Sequence, residues 1–520
     1  MNSVDSIKAS NDQAIYDVLI IGAGISGVGG AHYLQTECPG KSFVILESKD
    51  TFGGTWATHT YPGIRSDSDL YTFGYKFKPW MGKPIARAGA ILEYMEEVIE
   101  DEGIRDKIRF RHKVVAASWC SKTQLWTIEA IVADAPEPVF YQAKFLWMCQ
   151  GYYDHAKGYM PDFPGKDTFK GLLVHPQNWP DDIDYKDKKV VVIGSGATAA
   201  TVIPEMAETA KHVTMLQRSP TYFWTGPNEN KLASILAFLR VPKSILHKMV
   251  RWQILFFGKI VQQMSDKNPE RLKKRLRNDI EKILGKDFDY EKHLTPAYRP
   301  WQQRVAYVPD GDLFKAMRNG KASIVTDHIE TFTETGIQTK SGEHLDADII
   351  VSATGFNLLF FGGIQFEKDG EPVDLPSAVS YRGFMLSGLP NLSYVFGYLR
   401  TSWTMRVDLL GAYVARLLNH MDKKGMAVVT PTLRESDKDM ELHPGIKEED
   451  FNAGYIKRGL HQFPRQGSKE PWIIDTSYYN ERESIPNAPL EDGVLQYEPP
   501  VAASVDVDAA PKPAKSEAAA

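Results

Sequence analysis

The hydrophobic pattern near the start of the chain is a short apolar run, a glycine-rich turn and a helix-like stretch. Residues 16–21 are apolar and partly β-branched, and a second apolar run, 42–46, ends in Glu47. The glycines of the turn follow a GxGxxG spacing at Gly22, Gly24 and Gly27. Strand, glycine turn, helix and a second strand that ends in an acid are the parts of a dinucleotide-binding βαβ unit.

The same pattern returns in the middle of the chain. The apolar run 189–193 enters Gly194-Ser195-Gly196-Ala197-Thr198-Ala199, and the next run, 212–216, ends in Gln217-Arg218-Ser219-Pro220. Two more apolar runs, 145–149 and 348–352, lead into glycine, which predicts that the chain crosses between domains there. We therefore predict an α/β protein with two Rossmann-like dinucleotide-binding domains.

The predicted domains are split along the chain. The first comprises 15–155 and 358–500, and the second comprises 156–225 and 301–357. Residues 226–300 have helical patterning and form a predicted insertion, whereas the Ala/Pro/Lys-rich stretch 501–520 has little to bury and is predicted to be a disordered tail. The insertion is basic. Its apolar segments, such as 235–239 and 252–257, either contact an anionic membrane surface weakly or pack over the enzyme as a cap, and we favour the cap.

Composition narrows the class of protein. The chain has 520 residues, of which 43% are hydrophobic and 24% charged, and its net charge is −5. These values indicate a globular protein and give no reason to expect a nucleic-acid partner. Its three cysteines lie far apart, and neither a metal-ligand cluster, a signal peptide nor a transmembrane stretch is evident. We expect a cytoplasmic protein without a metal.

The residues that end the two βαβ units predict different nucleotides. Glu47 is placed to accept hydrogen bonds from an adenosine ribose and would repel a 2′-phosphate, so the first site is expected to hold FAD or NAD. Arg218, followed by Ser219, instead offers a guanidinium that pairs with a 2′-phosphate, so the second site is expected to hold NADPH. Together the two sites imply FAD and NADPH in one chain.

Three other segments resemble a known family. They are Gly53-Gly54-Thr55-Trp56, then Tyr61-Pro62-Gly63-Ile64-Arg65-Ser66-Asp67, and residues 169–180. The third matches every fixed position of the FxGxxxHxxxWP fingerprint of the Baeyer–Villiger monooxygenases, which are class B flavoprotein monooxygenases. Residues 300–304, 308–314 and 397–404 look most like the branch of the ethionamide-activating and long-chain alkane monooxygenases. His175 and Trp179 of the fingerprint are expected to join domains rather than to act in catalysis.

The resemblance implies an oxygenation reaction. NADPH would reduce FAD, O2 would add to give a flavin C4a-peroxide, and one oxygen atom would enter next to a ketone carbonyl to give an ester or lactone. Oxygenation of sulfur or nitrogen, or oxidation of long alkyl chains, stays open, so the expected substrate is an apolar ketone or sulfide together with O2. Because the cyclic-ketone branch tends to have Lys where this chain has Gln303, the NADPH preference is expected to be less strict.

The resemblance also assigns residues. By position Arg304 matches the family's active-site arginine, and Asp67 matches the acid that contacts both the cofactors and that arginine. From the motifs and the resemblance together, the cofactors are expected to contact Gly22, Gly24, Ser26, Gly27, Glu47, Gly54, Thr55, Trp56, Arg65, Ser66, Asp67, Val114, Gly194, Ser195, Gly196, Ala197, Thr198, Ala199, Arg218 and Ser219. A disulfide reductase is disfavoured because Cys38, Cys120 and Cys149 offer no redox pair, and a scaffolding protein is disfavoured because the motifs are intact.

Overall fold

The computed structural model describes residues 14–133 and 135–501. Its helices are α1 (Ile25–Glu37), α2 (Thr55–Thr58), α3 (Leu70–Phe73), α4 (Ala88–Asp101), α5 (Ala197–Met206), α6 (Lys231–Phe238), α7 (Lys243–Lys267), α8 (Pro269–Leu284), α9 (Tyr290–Leu294), α10 (Asp312–Arg318), α11 (Thr404–Lys424), α12 (Gly454–Gly459) and α13 (Tyr478–Ser484). None of the helices in this part of the chain is both long enough and apolar enough to span a membrane.

The strands lie partly between these helices and partly in long runs of their own. They are β1 (Ile15–Ile21), β2 (Phe43–Leu46), β3 (Ile108–Arg109), β4 (His112–Cys120), β5 (Leu125–Val132), β6 (Val139–Met148), β7 (Tyr153–Gly158), β8 (Leu172–Val174), β9 (Lys189–Ile193), β10 (His212–Gln217), β11 (Phe223–Gly226), β12 (Ala306–Pro309), β13 (Ala322–Thr326), β14 (Ile329–Thr333), β15 (Gly336–Thr339), β16 (His344–Asp346), β17 (Ile349–Ser352), β18 (Phe356–Leu358), β19 (Gln365–Lys368), β20 (Glu371–Pro372), β21 (Ser380–Tyr381), β22 (Met385–Leu386), β23 (Leu392–Tyr394), β24 (Val428–Pro431), β25 (Leu442–Pro444), β26 (Arg465–Gly467) and β27 (Leu495–Glu498).

A nine-stranded sheet contains the first glycine motif. Its order is β20-β19-β4-β5-β6-β1-β2-β3, and β23 also pairs with β6. Strand β1 lies between β6 and β2 and is parallel to both, with Ile21 opposite Met148 and Leu46. Residues 18–21 are buried, as expected for a parallel strand covered on both faces. The three strands therefore end together beside the glycine turn.

A five-stranded parallel sheet contains the second glycine motif. Its order is β13-β10-β9-β17-β8. Ile193 at the end of β9 lies opposite Leu216 of β10 and Ser352 of β17, so the ends of these strands also form one edge. The predicted α/β class with two Rossmann-like units is confirmed.

Two short antiparallel strands, β7 and β18, pair where the sequence predicted that the chain crosses between domains. The strands of the nine-stranded sheet come from both sides of the five-stranded one in the chain. This interleaving is compatible with the predicted domain limits, which remain a prediction. Of the predicted tail 501–520, all but Val501 lies outside the described residues.

The insertion 226–300 is helical and packs against both sheets. Leu236, Leu246 and Val250 join the core beside the nine-stranded sheet, whereas Ile280 joins the core of the five-stranded one. The favoured interpretation, in which its apolar face packs over the enzyme, is only partly right. The side chains on the other side of α6 and α7 stay exposed, Phe238 by 86%.

Candidate active site

The first glycine turn brings the backbone of three segments into close contact. Gly22 has a φ of +101°, and a Cβ there would lie 2.8 Å from the Cys149 carbonyl oxygen. A Cβ on Gly27 would lie 1.9 Å from the carbonyl oxygen of Gly22, so α1 packs directly on the turn. Gly24 begins α1 without a side-chain cap. Uncapped amides at a helix N-terminus are suited to bind phosphate groups.

A second glycine pair closes over this turn. Gly54 has a φ of +55°, and a Cβ on it would lie 3.2 Å from the Gly24 Cα. Thr55 and Trp56 follow in α2, where the Trp56 ring packs edge-on against Phe73. The structure therefore brings both predicted glycine segments together at the end of β1.

Glu47 is buried at the end of β2 and binds the turn itself. One carboxylate oxygen accepts a hydrogen bond from the Ala23 amide at 2.7 Å, and the other accepts one from the Lys49 amide at 3.0 Å. The oxygen bound by Lys49 also accepts from the Ser48 hydroxyl at 3.2 Å, so the oxygen bound by Ala23 is the one that keeps a lone pair for a ribose hydroxyl. Val114 lies nearby in β4, whose first residue, His112, donates its amide to the Glu47 carbonyl oxygen at 2.8 Å.

The loop from Tyr61 to Asp67 contacts α5 and α10, two helices that pack against the five-stranded sheet. Arg65 forms a two-pronged ion pair with Asp312 of α10 and also donates to the Ala200 carbonyl oxygen of α5 at 3.3 Å. The Ser66 hydroxyl accepts from the Ala86 amide at 3.3 Å. Both residues thus have protein partners that fix the loop, and their predicted contacts with a cofactor remain a prediction.

Arg304 and Asp67 form a two-pronged ion pair across 237 residues of sequence. The Arg304 Nη2 donates to Asp67 Oδ1 at 2.6 Å, and its Nε donates to Oδ2. Burial lowers the pKa of Arg304, but the Asp67 carboxylate outweighs that effect and holds the pKa above its ordinary value. The guanidinium therefore stays charged and fixed in direction, while 39% of its side chain remains accessible.

The charge of this guanidinium acts on three tyrosines, of which Tyr152 is buried and Tyr153 and Tyr455 are half-buried, and sequence reasoning missed them. Burial raises the pKa values of Tyr152, Tyr153 and Tyr455, and the Arg304 charge lowers each of them by less. The Tyr152 hydroxyl donates to that of Tyr153 at 2.9 Å. All three phenols therefore remain neutral hydrogen-bond donors beside a permanent positive charge.

An aromatic contact joins these tyrosines to the first glycine turn. The Trp403 ring stacks on Tyr152 with 5.2 Å between centroids, and its indole N–H donates to the Ser26 hydroxyl at 2.8 Å. Ser26 lies in the first turn of α1. Trp403 thus connects the glycine turn to Tyr152, one of the tyrosines on which the Arg304 charge acts.

The second glycine turn has the same construction. Gly194 has a φ of +122°, and a Cβ there would lie 2.4 Å from the Ala353 carbonyl oxygen. Gly196 precedes α5 without a side-chain cap, and a Cβ on it would meet no atom within 4 Å. Ser195 bonds the Thr221 hydroxyl at 2.8 Å. Ala197, Thr198 and Ala199 form the first turn of α5, whose amides have no side-chain cap.

Arg218 lies exposed at the end of β10, with Ser219 next to it. A second arginine, Arg458 of α12, stands near enough that the Arg218 charge adds to burial in lowering its pKa. Arg458 lies 3.5 Å above the Tyr159 ring. Two neighbouring guanidiniums repel each other unless an anion lies between them. Arg458 is distant from Arg218 in sequence, so only the tertiary structure brings it to this site.

Some buried polar atoms near the two glycine turns have no hydrogen-bond partner among the described residues. They include both ring nitrogens of His59 and the Gln150 side-chain oxygen. Burial and then the charge of His155 lower the pKa of His59 to about 4, so its ring is neutral near pH 7. Unpaired buried polar atoms are costly, so these positions fit a bound polar ligand.

His175 of the fingerprint forms hydrogen bonds with two segments of the chain. His175 Nδ1 accepts from the Gln177 amide at 3.1 Å, and Nε2 lies 3.1 Å from the Gly355 carbonyl oxygen, to which it donates. Burial lowers its pKa, so the ring is neutral. Trp179 packs against the core of the five-stranded sheet. His175 therefore holds the β17–β18 connection, and Trp179 anchors the fingerprint segment on the five-stranded sheet.

In the part of the chain that the structure describes, neither the cysteines nor the potential metal ligands form a further centre. Cys38, Cys120 and Cys149 are all free. Within the described residues no group of three or more His, Cys, Asp or Glu side chains is arranged to hold a metal ion.

Family models match most of the chain. The model described as flavin-binding monooxygenase-like matches residues 83–362, and one for an NAD(P)-binding Rossmann-like domain matches residues 20–80. The second match includes the first glycine turn, Glu47 and Asp67.

Two relatives are 44% identical to this chain. One is named probable FAD-binding monooxygenase AlmA, from Acinetobacter baylyi, and aligns over 488 residues, which are 93% of this chain and 96% of the relative. The other is named FAD-containing monooxygenase EthA, from Mycobacterium tuberculosis, and aligns over 483 residues, which are 92% and 97%.

Solved structures share the fold at low sequence identity. An oxidised steroid monooxygenase bound to NADP is 21% identical, covers 94% of this chain and all of its own, and has a TM-score of 0.74. An open structure of cyclohexanone monooxygenase is also 21% identical, covers 80% of this chain and 90% of its own, and has a TM-score of 0.68. The expected resemblance to flavoprotein monooxygenases is confirmed, since one family model and relatives of similar length both match. The chain belongs to the flavin-binding monooxygenase-like family.

Proposed function

We propose that this protein is an FAD- and NADPH-dependent monooxygenase that inserts one oxygen atom of O2 next to the carbonyl of an apolar ketone, giving an ester or a lactone. The observation that carries the proposal is the Arg304–Asp67 ion pair. Its charge acts on Tyr152, which stacks on Trp403, and the Trp403 indole donates to Ser26 beside the first glycine turn. The permanent positive charge of Arg304 would stabilise an oxygen atom that becomes negatively charged during the reaction.

The first glycine turn fits FAD. The uncapped start of α1 would bind the pyrophosphate, Glu47 would bind the ribose, and the orphaned nitrogens of His59 would gain a partner. The contacts proposed at the second turn are with NADPH, whose pyrophosphate would enter the space at Gly196 and whose 2′-phosphate would pair with Arg218. When bound, FAD supplies oxygen activation and NADPH supplies the hydride.

The chain's own residues would act by position and charge. Arg304 would stabilise negative oxygen in the adduct with the carbonyl, and Asp67 would hold the guanidinium in direction. The phenols of Tyr153 and Tyr455 are neutral donors placed beside the same oxygen site. A cytoplasmic location completes the proposal, and three unpaired thiols support it.

Product analysis tests the reaction. The FAD-loaded protein is given NADPH and ¹⁸O2 with a long-chain ketone, a cyclic ketone, an aryl sulfide and an alkane in separate reactions. We expect esters or lactones that contain one labelled oxygen atom. If only the sulfide, or only the alkane, gains oxygen while both ketones are unchanged, the alternative of heteroatom or alkane oxygenation replaces the proposal.

Arg218→Ala tests the assignment of NADPH to the second turn. Loss of a charge-assisted hydrogen bond of about 1.5–3 kcal/mol should raise the KM for NADPH by about 10- to 100-fold. The KM for NADH, which lacks the 2′-phosphate, should change little. Steady-state kinetics with both nucleotides measure this, and Arg240→Ala, which removes an exposed arginine from the insertion, is the control. Equal loss for both nucleotides would contradict the assignment.

Gly27→Ala tests the first turn. The added methyl would lie 1.9 Å from a backbone oxygen that cannot move aside, so we expect the purified protein to contain little or no FAD. Gly89→Ala is the matched control, because a Cβ on this glycine of α4 meets nothing within 4 Å. FAD content is read from the flavin absorbance. A full complement of FAD in Gly27→Ala would show that the turn does not need this close contact.

A further inference from the structure

The outer side of α6 and α7 is an apolar surface that the described chain leaves uncovered. Nine of the fifteen large hydrophobic side chains that are exposed in the described residues lie within this short part of the chain. We call them the α6–α7 surface: Ile235, Phe238, Leu239, Ile245, Met249, Trp252, Phe256, Phe257 and Ile260. Single exposed hydrophobic residues are ordinary, but a contiguous group of this size marks an interaction site.

The surface forms a stripe along α7. Five of its residues follow one another at steps of three or four, namely Ile245, Met249, Trp252, Phe256 and Ile260, and therefore lie on one face of the helix. Trp252 and Phe256 stack with 5.4 Å between ring centroids. Trp252 is 67% exposed and Phe238 is 86% exposed. The stripe is thus preformed.

The opposite side of α7 is anchored, so the helix cannot turn to bury the stripe. Leu246 and Val250 lie in the core. Arg251 donates to the Gly74 carbonyl oxygen at 3.0 Å and to the buried Asp408 carboxylate at 3.2 Å. Rotation would break these buried contacts and leave both charges unpaired, which is strongly unfavourable.

The charges around the surface have one sign. Residues 230–265 contain six basic residues and no Asp or Glu, although the whole chain has a net charge of −5. Five of these basic residues are exposed and make no ion pair within the described chain: Lys231, Arg240, Lys243, Lys248 and Lys259. The complementary partner is therefore both apolar and anionic.

We propose that α6 and α7 dock this protein peripherally on an anionic lipid bilayer. The aromatic and aliphatic side chains would enter the boundary between headgroups and acyl chains, and the lysines would contact lipid phosphates. Tryptophan beside basic residues suits that boundary, where one end of the side chain is apolar and the other is hydrated. A second copy suits the surface less, because a two-fold contact would face one set of cations with another.

Vesicle co-sedimentation tests the proposal without reference to catalysis. Purified full-length protein is mixed with vesicles of phosphatidylcholine and phosphatidylglycerol, or of phosphatidylcholine alone. We expect binding to the anionic vesicles that weakens with salt and is much weaker for the neutral ones. The variant Phe238→Ser/Trp252→Ser should bind at least about 10-fold more weakly, because two large apolar groups no longer enter the bilayer.

Charge and control variants complete the test. Lys248→Glu/Lys259→Glu should weaken binding at least about 10-fold, since each cation contributes about 1 kcal/mol near such a surface. Ile131→Ser, which removes a side chain 50% exposed on β5, should bind like the wild type. Because the two lysines are exposed, the Lys248→Glu/Lys259→Glu variant should fold. It therefore tests the proposal even if the apolar variant fails to fold. Unchanged binding by the folded double variants, or equal binding to neutral vesicles, would overturn the proposal. The proposal would also be overturned if the wild type formed a dimer and bound no vesicles, and if the Phe238→Ser/Trp252→Ser variant were a monomer.

Discussion

Arg304→Ala is expected to lower the rate of ester formation by about 100- to 1000-fold, the loss typical of removing one preorganised group that stabilises a negative oxygen. FAD should be retained, since the contacts that build the first glycine turn come from Glu47, Gly24 and Gly54 and not from Arg304. The rate of ester formation is measured with a ketone at saturating NADPH. FAD content and the anaerobic bleaching of the flavin by NADPH are measured on the same preparation.

Two further variants separate charge from orientation. Arg304→Lys keeps a cation but loses the two-pronged contact with Asp67, so we expect partial activity. Asp67→Asn should lower kcat more than it changes the KM for the ketone, because it frees the guanidinium to move. Arg299→Ala removes a neighbouring arginine whose ion pair with Asp266 lies at the surface, and it should behave like the wild type. A wild-type rate in Arg304→Ala would exclude its catalytic role, whereas loss of FAD would make it a cofactor-binding residue.

Local pattern predicted the two glycine turns because all of their determinants lie close together in sequence. The spacing of Gly22, Gly24 and Gly27 after an apolar run already requires a strand, a tight turn and a helix, and the backbone contacts explain why. The Arg304–Asp67 contact is different, because 237 residues separate the partners. Only the family resemblance suggested it. Tyr455 and Arg458 reach their sites through α12, and no local signal distinguishes them from surface residues.

The insertion shows a second limit of pattern. On α7 the buried stripe with Leu246 and Val250 and the exposed stripe with Ile245 and Met249 are shifted by a single residue. A hydrophobic period therefore indicates a helix but does not tell which stripe meets the protein. Hydrogen bonds from Arg251 to Gly74 and Asp408, two residues distant from it in sequence, determine which stripe is buried.

Glu481→Ala is expected to cause the largest loss of stability. The Glu481 carboxylate accepts two hydrogen bonds from Arg406, at 2.6 and 2.8 Å, and one from the Tyr398 hydroxyl at 2.5 Å. Both ionic side chains are almost fully buried, at 3% and 2% exposure. Removing the carboxylate leaves a buried guanidinium unpaired, which costs about 3–5 kcal/mol. The Tm by far-UV circular dichroism should therefore fall by about 3–5 °C.

Glu435→Ala is the control for this prediction. Glu435 also pairs with a cation, Lys438, but is 86% exposed, so its loss should cost only about 0–1 kcal/mol. Arg406→Met/Glu481→Leu removes both buried charges and should recover much of the lost stability, because no charge is left unpaired. Arg406 lies in the first turn of α11, three residues after Trp403. Since Trp403 touches both Ser26 and Tyr152, Glu481→Ala should also weaken FAD binding, whereas the charge-free double variant should restore it. If Glu481→Ala melts like Glu435→Ala, the buried pair does not fix this end of the helix.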